Sequence, residues 1–169
     1  MYEAEIAHFA DRFRVLSYDY PGRGQSTREQ KYADERAFDQ WNHWSDLACH
    51  LLLALKVASA YVMGVGGGAR AALFFAGHHA PMHNLITKGV LADSFLADLD
   101  MRTFHRSLDV REHFYVRNHR ALQLQHGDDW RQVVDDDTAY LRAIASRGGY
   151  ALPEFVLNSV RCPVLLTGH

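Results

Sequence analysis

The stretch Ser59–Gly77, SAYVMGVGGGARAALFFAG, decides the fold. Its first five residues, Ser59 to Met63, are short, apolar and β-prone. Gly64-Val65-Gly66-Gly67-Gly68 follows at once, and ARAALFFAG then has strongly helical composition. A strand, a tight turn and a helix therefore succeed one another with no linker between them.

Working outward, Leu85–Ala92 (LITKGVLA) reads as a further strand, and Val160–Thr167, with Pro163 near its start, as another. Upstream, Arg14–Tyr20 (RVLSYDY) is a β-prone stretch that runs into Pro21-Gly22-Arg23-Gly24, where proline and glycine end any regular element. Between these two strand signals, Leu47, Leu51 and Leu55, with Ala48 and Leu52 beside them, form a stripe predicting a covering helix over Phe38–Leu55. Tyr2, Ile6 and Phe9 recur at helical spacing and predict a short amphipathic helix at the start. Strands alternating with helices predict an α/β fold: about four mostly parallel strands, covered on both faces.

A different texture fills Arg102–Gly149, which is helical in pattern and rich in charge, histidine and aromatics. It predicts an inserted helical cap. Its first helix is expected from near Asp109 to Gly127, and its second from near Asp128 to Gly148-Gly149. The organisation is then residues 1–100 as core, 101–150 as cap, and 151–169 as a return to the core with a terminal strand.

Composition excludes several function classes. With 18 basic and 20 acidic residues, the chain carries a formal net charge of -2, too little of either sign to steer nucleic acid or an anionic membrane. No run approaches the roughly 18 apolar residues of a membrane span, and the first residues lack an apolar signal core. Cys49 and Cys162 match no zinc or redox spacing, which predicts free thiols in a reducing, cytoplasmic setting.

In order along the chain, VLSYDYPGRGQS, VMGVGGGARAAL, VLADSF, HGDDWRQVV and CPVLLTG resemble the α/β-hydrolase superfamily, over essentially its whole length. The flavour is that of capped esterases and C–C bond hydrolases of small molecules, including valacyclovir-hydrolase-like enzymes. In that superfamily the nucleophile occupies the centre of G-x-S-x-G, on a turn that lifts its side chain above the sheet while the next backbone N–H helps form the oxyanion hole. The resemblance assigns the nucleophile position to Gly66 and the oxyanion N–H to Gly67. Glycine has no Oγ, so no acyl-enzyme forms there and no ordinary triad chemistry is expected.

The resemblance further implies strands and a His-Gly-type loop ahead of Met1, and an acid and then a histidine after the terminal strand. On it the chain reads as an incomplete or degenerate copy, a pseudoenzyme, with His169 at its edge. It also implies that a strand should stand between those matching RVLSYDY and AYVM, so these two either pair directly or leave a gap. Unpaired backbone groups cost about 1–3 kcal/mol each against a domain stability of roughly 5–15 kcal/mol. Low stability or self-association as a homo-oligomer is expected.

Asp93, after the strand LITKGVLA, is a candidate acid, against the plainer reading of a residue that caps the turn. Ser94 has no elbow to hold it as a nucleophile. Phe95, Tyr115 and Trp130 are the residues expected to line an apolar pocket facing Gly66, with Trp130 as the cap anchor. Asp19 and Arg23 should shape the pocket wall. The eleven histidines, His78, His79 and His83 among them, read as surface or cap residues, so no metal and no cofactor is expected. The leading function is that of a relative of hydrolases acting on small hydrophobic esters, lactones or C–C bonds. A second is a non-catalytic binding or interaction protein, because GVGGGA resembles the glycine-rich elbow of the N-myc downstream-regulated proteins, which have this fold without a working triad. A third is a nucleotide-binding α/β domain, resting on the glycines alone.

Overall fold

The structure, a computed structural model, describes residues 2–28, 40–94 and 101–168. In chain order the elements are α1 (Glu3–Ala10), α2 (Gln40–Ala54), β1 (Ser59–Val65), α3 (Gly67–Phe74), a π turn (Phe75–His79), α4 (Ala80–Met82), β2 (Ile86–Asp93), α5 (Met101–His126), α6 (Trp130–Ser146), α7 (Glu154–Ser159) and β3 (Val164–Thr167). The fold is α/β, with three parallel strands in the order β1-β2-β3 and a helical insertion between β2 and β3.

Register aligns the strand ends. Val65 pairs with Asp93, and Asp93 with Thr167, so all three strands finish at one carboxyl edge. Ligands of open α/β sheets bind at such an edge.

The expected fourth strand does not form. Arg14–Tyr20 joins no ladder among the described residues. A β-prone sequence becomes a strand only when another strand takes its backbone groups. Here side chains tie this stretch to α2 instead, since the Tyr18 hydroxyl donates to the Trp44 carbonyl at 3.0 Å and Tyr20 stacks on Trp44 with ring centroids 4.1 Å apart. The two segments expected either to pair or to leave a gap therefore do not pair among the described residues.

Coverage of the sheet also differs from expectation. Val62, Gly64, Val90 and Ala92 turn inward toward α3, whereas Tyr61, Met63 and Ile86 on β1 and β2 are exposed, as is every residue of β3. Only one face is sealed among the described residues. The helix α1 does not cover the other, since it buries none of its side chains. Phe13, just beyond it, meets Tyr61 edge-to-face at 5.7 Å.

On α2 the buried face is Trp41, Trp44, Ser45, Cys49 and Leu52, while Leu47, Leu51 and Leu55 are half-buried. The stripe read from the leucines is thus rotated. Two indoles bring more apolar area than two leucines, and α2 packs on α3 and the π turn, whose small Ala69, Ala72 and Ala76 leave room for them. The main core joins this layer to Phe104, Leu108, Tyr140, Ile144 and Ala145 from α5 and α6, so the helical insertion and the sheet share one hydrophobic core.

Within the insertion, α5 begins earlier than expected, at Met101, and carries one non-helical residue, Asn118. Its stop follows the sequence, because Gly127 takes φ +84°, a conformation that ends a helix at little cost only with glycine. The short helix α7 was not anticipated, and it approaches closely enough that a Cβ on Gly77 would lie 2.1 Å from the Val156 carbonyl oxygen.

Candidate active site at the strand-to-helix bend

Gly66 stands between the last residue of β1 and the first of α3, with φ +55° and ψ -115°. That lies outside the left-handed helical basin that other residues sometimes occupy, so glycine relieves a real backbone strain here. The bend is anchored on both sides. Gly66 N–H donates to the Asp93 carbonyl at 2.9 Å, and Ala69 N–H donates to the Gly66 carbonyl at 3.1 Å.

The surrounding glycines differ in what they permit. A Cβ at Gly64 would fall 2.0 Å from the Gly68 carbonyl oxygen, so strand and helix approach too closely for any side chain there. At Gly67 it would meet Trp41 Nε1 at 2.7 Å, whereas at Gly68 the nearest atom is the Tyr20 hydroxyl oxygen at 3.6 Å, an ordinary contact. At Gly66 nothing lies within 4 Å, so the direction a side chain would take is open. Of the two outer glycines, Gly64 is sterically required and Gly68 is not.

Asp93 lies at the same edge, but its carboxylate is engaged. Oδ1 accepts from the Thr167 hydroxyl at 2.5 Å, Oδ2 accepts from the Ser94 hydroxyl at 3.3 Å, and Ser94 N–H donates to the Thr167 carbonyl at 2.9 Å. These bonds join the ends of β2 and β3 and hold Ser94 at φ +51°. Burial, then the carboxylates of Glu5 and Asp93, push the Tyr2 phenol above its ordinary value, which brings the start of α1 within electrostatic range of this edge.

Trp41 is the neighbour that sequence reading did not single out. It lies against Gly67 and meets Tyr140 edge-to-face at 5.8 Å and Tyr150 at 4.9 Å, while the buried Arg70 guanidinium packs over both Trp41 and Tyr150 at 5.1 Å. These aromatics couple the bend to the insertion. Only contacts between segments far apart in sequence reveal this, and no local pattern marks Trp41 from Trp44.

Other expected site residues fall elsewhere. Tyr115 and Trp130 pack with Leu122 and Val134 between α5 and α6, and the Tyr115 hydroxyl shares a 2.8 Å hydrogen bond with Thr138. Phe95 lies outside the described residues. Asp19 accepts from Gln25 N–H at 2.9 Å, and Arg23 donates to Asp137 at 2.5 Å and to the Val133 carbonyl at 3.3 Å, tying the loop after Tyr20 to α6. Two hollows, of about 270 and 480 Å³, lie on α5 and α6, and neither is lined by Gly66, Gly67 or Asp93.

The geometry offers a helix N-terminus, where Gly67 N–H has no partner inside α3, and no nucleophile at the bend beside it.

No protein family matches the chain by sequence, and no curated protein matches it. Among solved structures it is similar to NosK from Streptomyces actuosus, with a TM-score of 0.68 and 18% identity over 99% of this chain and 69% of that one. It is also similar to an N-acyl homoserine lactonase, AidH, solved as a serine-to-glycine mutant complexed with N-hexanoyl homoserine lactone. There the TM-score is 0.51 and the identity 15%, over 89% of this chain and 58% of the lactonase. No helix of the described residues is long and apolar enough to cross a membrane. Taken with the parallel sheet and the strand-to-helix bend, these likenesses show that the chain has an α/β-hydrolase-like fold.

Proposed function

We propose that this chain is a non-hydrolytic relative of enzymes that cleave small hydrophobic esters, lactones or C–C bonds, and that it binds such a molecule at the bend without turning it over. The observation that carries the reading is Gly66, which occupies the strained corner between β1 and α3 and presents only hydrogen. Covalent catalysis at this corner needs an activated hydroxyl, and a base has nothing to activate. What persists is the N–H of Gly67 at a helix N-terminus, a donor for a carbonyl oxygen.

The lactonase likeness supplies the probe, because that protein is complexed with N-hexanoyl homoserine lactone while carrying glycine in place of a serine. An acyl chain with a polar lactone head combines the apolar body and carbonyl acceptor that this reading requires. The test is calorimetric titration of the full chain with N-hexanoyl homoserine lactone, alongside a chromogenic ester assay. Binding with no turnover above buffer, weakened by Gly67→Pro, which removes the N–H, supports the proposal. Turnover above buffer, or saturable binding of ATP or NAD in place of the lactone, overturns it.

A further inference from the structure

At the far end of α3 from the bend, a second group of side chains converges. One face of α2 presents Asn42, Asp46 and His50 at successive four-residue spacings, and the segment that continues α3 presents His79 and His83. One ligand atom from each of Asp46, His79 and His83 lies within 4.8 Å of the other two. His79 Nδ1 is 3.3 Å from Asp46 Oδ1, and His83 Nε2 is 3.3 Å from the same oxygen. Four ligands around zinc at about 2.0–2.1 Å stand about 3.3–3.4 Å from one another along each tetrahedral edge. These separations match that edge.

The hydrogen-bond geometry around His79 adds to this. His79 Nε2 is 2.5 Å from Asn42 Oδ1, an acceptor, and its Nδ1 faces Asp46 Oδ1, also an acceptor. A neutral imidazole has one N–H and cannot donate to both. With Nε2–H given to Asn42, the Nδ1 lone pair points at a carboxylate lone pair. A cation between Nδ1 and Oδ1 satisfies both lone pairs, and an amide oxygen holding the opposite ring N–H is the outer-shell arrangement that fixes a metal-bound histidine.

We propose that Asp46, His79 and His83 form a binding site for a divalent cation of the zinc class, with Asn42 as the outer-shell partner of His79. His50, whose Nε2 is 3.6 Å from Asp46 Oδ2 and whose ring lies 5.0 Å from that of His83, flanks the site without joining its three mutually close ligand atoms. Two imidazoles and a carboxylate suit zinc better than magnesium or calcium, which prefer all-oxygen sets. Asp46 and His83 remain partly exposed, so an ion has a way in. His79 is twelve residues beyond Gly67, on the order of 18 Å along a helical path, so the site is separate from the bend. Bound there, the ion cross-braces α2 to the π turn. A π turn shifts the side chains after it onto another helix face, and such turns are frequent at functional sites. Asp46 precedes His79 by 33 residues, which is why spacing alone predicts no metal here.

The test uses the full chain without a polyhistidine tag, stripped with EDTA and titrated with zinc chloride against a chromophoric chelator. One equivalent should bind, cobalt should give the intense visible bands of four-coordinate cobalt, and zinc should raise the melting temperature. Asn42→Ala should weaken zinc about 10–100-fold, as loss of an outer-shell partner does, and His83→Ala by more than that. His105→Ala, on exposed α5 surface, should change nothing. His83 is partly exposed, so His83→Ala is a fair probe even if His79→Ala fails to fold. No stoichiometric binding at micromolar zinc, or binding and thermal shift unchanged in both His83→Ala and Asp46→Ala, would overturn the proposal.

Discussion

The backbone N–H of Gly24 donates to Nδ1 of His126 across 2.9 Å, joining the loop after Tyr20 to the end of α5, 102 residues away. The acceptor must be unprotonated, and its surroundings favour that form. Burial first, then the Arg23 and Arg28 guanidiniums, push the His126 pKa below its ordinary 6.5. As pH falls through about 6.5, the unfolded chain therefore takes up a proton before the folded one, so this bond's contribution is whole above that pH and is lost as pH drops toward the folded value. Urea midpoints should fall from about pH 7.5 to 5.5, and the fall should be smaller in His126→Gln. An identical pH slope in the variant would remove His126 as its cause.

Asp137 takes two arginines at once, Arg23 from the loop at 2.5 Å and Arg111 from α5 at shorter range. All three side chains are about a quarter exposed or less. Asp137→Ala leaves both guanidiniums without this carboxylate and should cost about 1.5–2 kcal/mol, above the range of an exposed pair and within that of charged hydrogen bonds. Limited proteolysis should then cut first near Arg23. Equal protection in the variant would show that the loop is held by other contacts.

Alanine at three of the four glycines of the bend should rank in a set order. Gly64→Ala drives a Cβ into the backbone of Gly68 and should cost about 3 kcal/mol or more. Gly66→Ala meets no atom within 4 Å but holds alanine at φ +55°, costing about 1–3 kcal/mol. Gly68→Ala finds room inside the first turn of α3 and should be neutral or stabilising by about 0.5 kcal/mol. Thermal melts of the three variants decide this, and a Gly68→Ala variant as unstable as Gly64→Ala would refute the geometry of the turn.

Tyr61, Met63, Ile86, Leu165 and Leu166 leave apolar β-sheet surface exposed, the kind of surface a second copy would cover. The expected outcome is concentration-dependent self-association in analytical ultracentrifugation, reduced by the pair Tyr61→Lys and Leu165→Lys. A single monomeric species at all concentrations, melting at high temperature, would contradict it.

The sequence alone determined the two features on which the functional reading rests, the strand–turn–helix at Ser59–Gly77 and the glycine at its corner. Both are local: a β-prone run, a glycine cluster and a helical run specify the bend by backbone sterics within a few residues. The ends of α5 and α6 were legible for the same reason, at Gly127 and Gly148-Gly149. Arg14–Tyr20 was read as a strand and is not one, because strand formation depends on a partner elsewhere in the chain. Only the tertiary structure decided that Trp41 backs Gly67, that His126 holds Gly24, and that Asp46 meets His79 and His83. Each of these joins residues that no helical or strand period relates, so packing had to bring them together before their chemistry became visible.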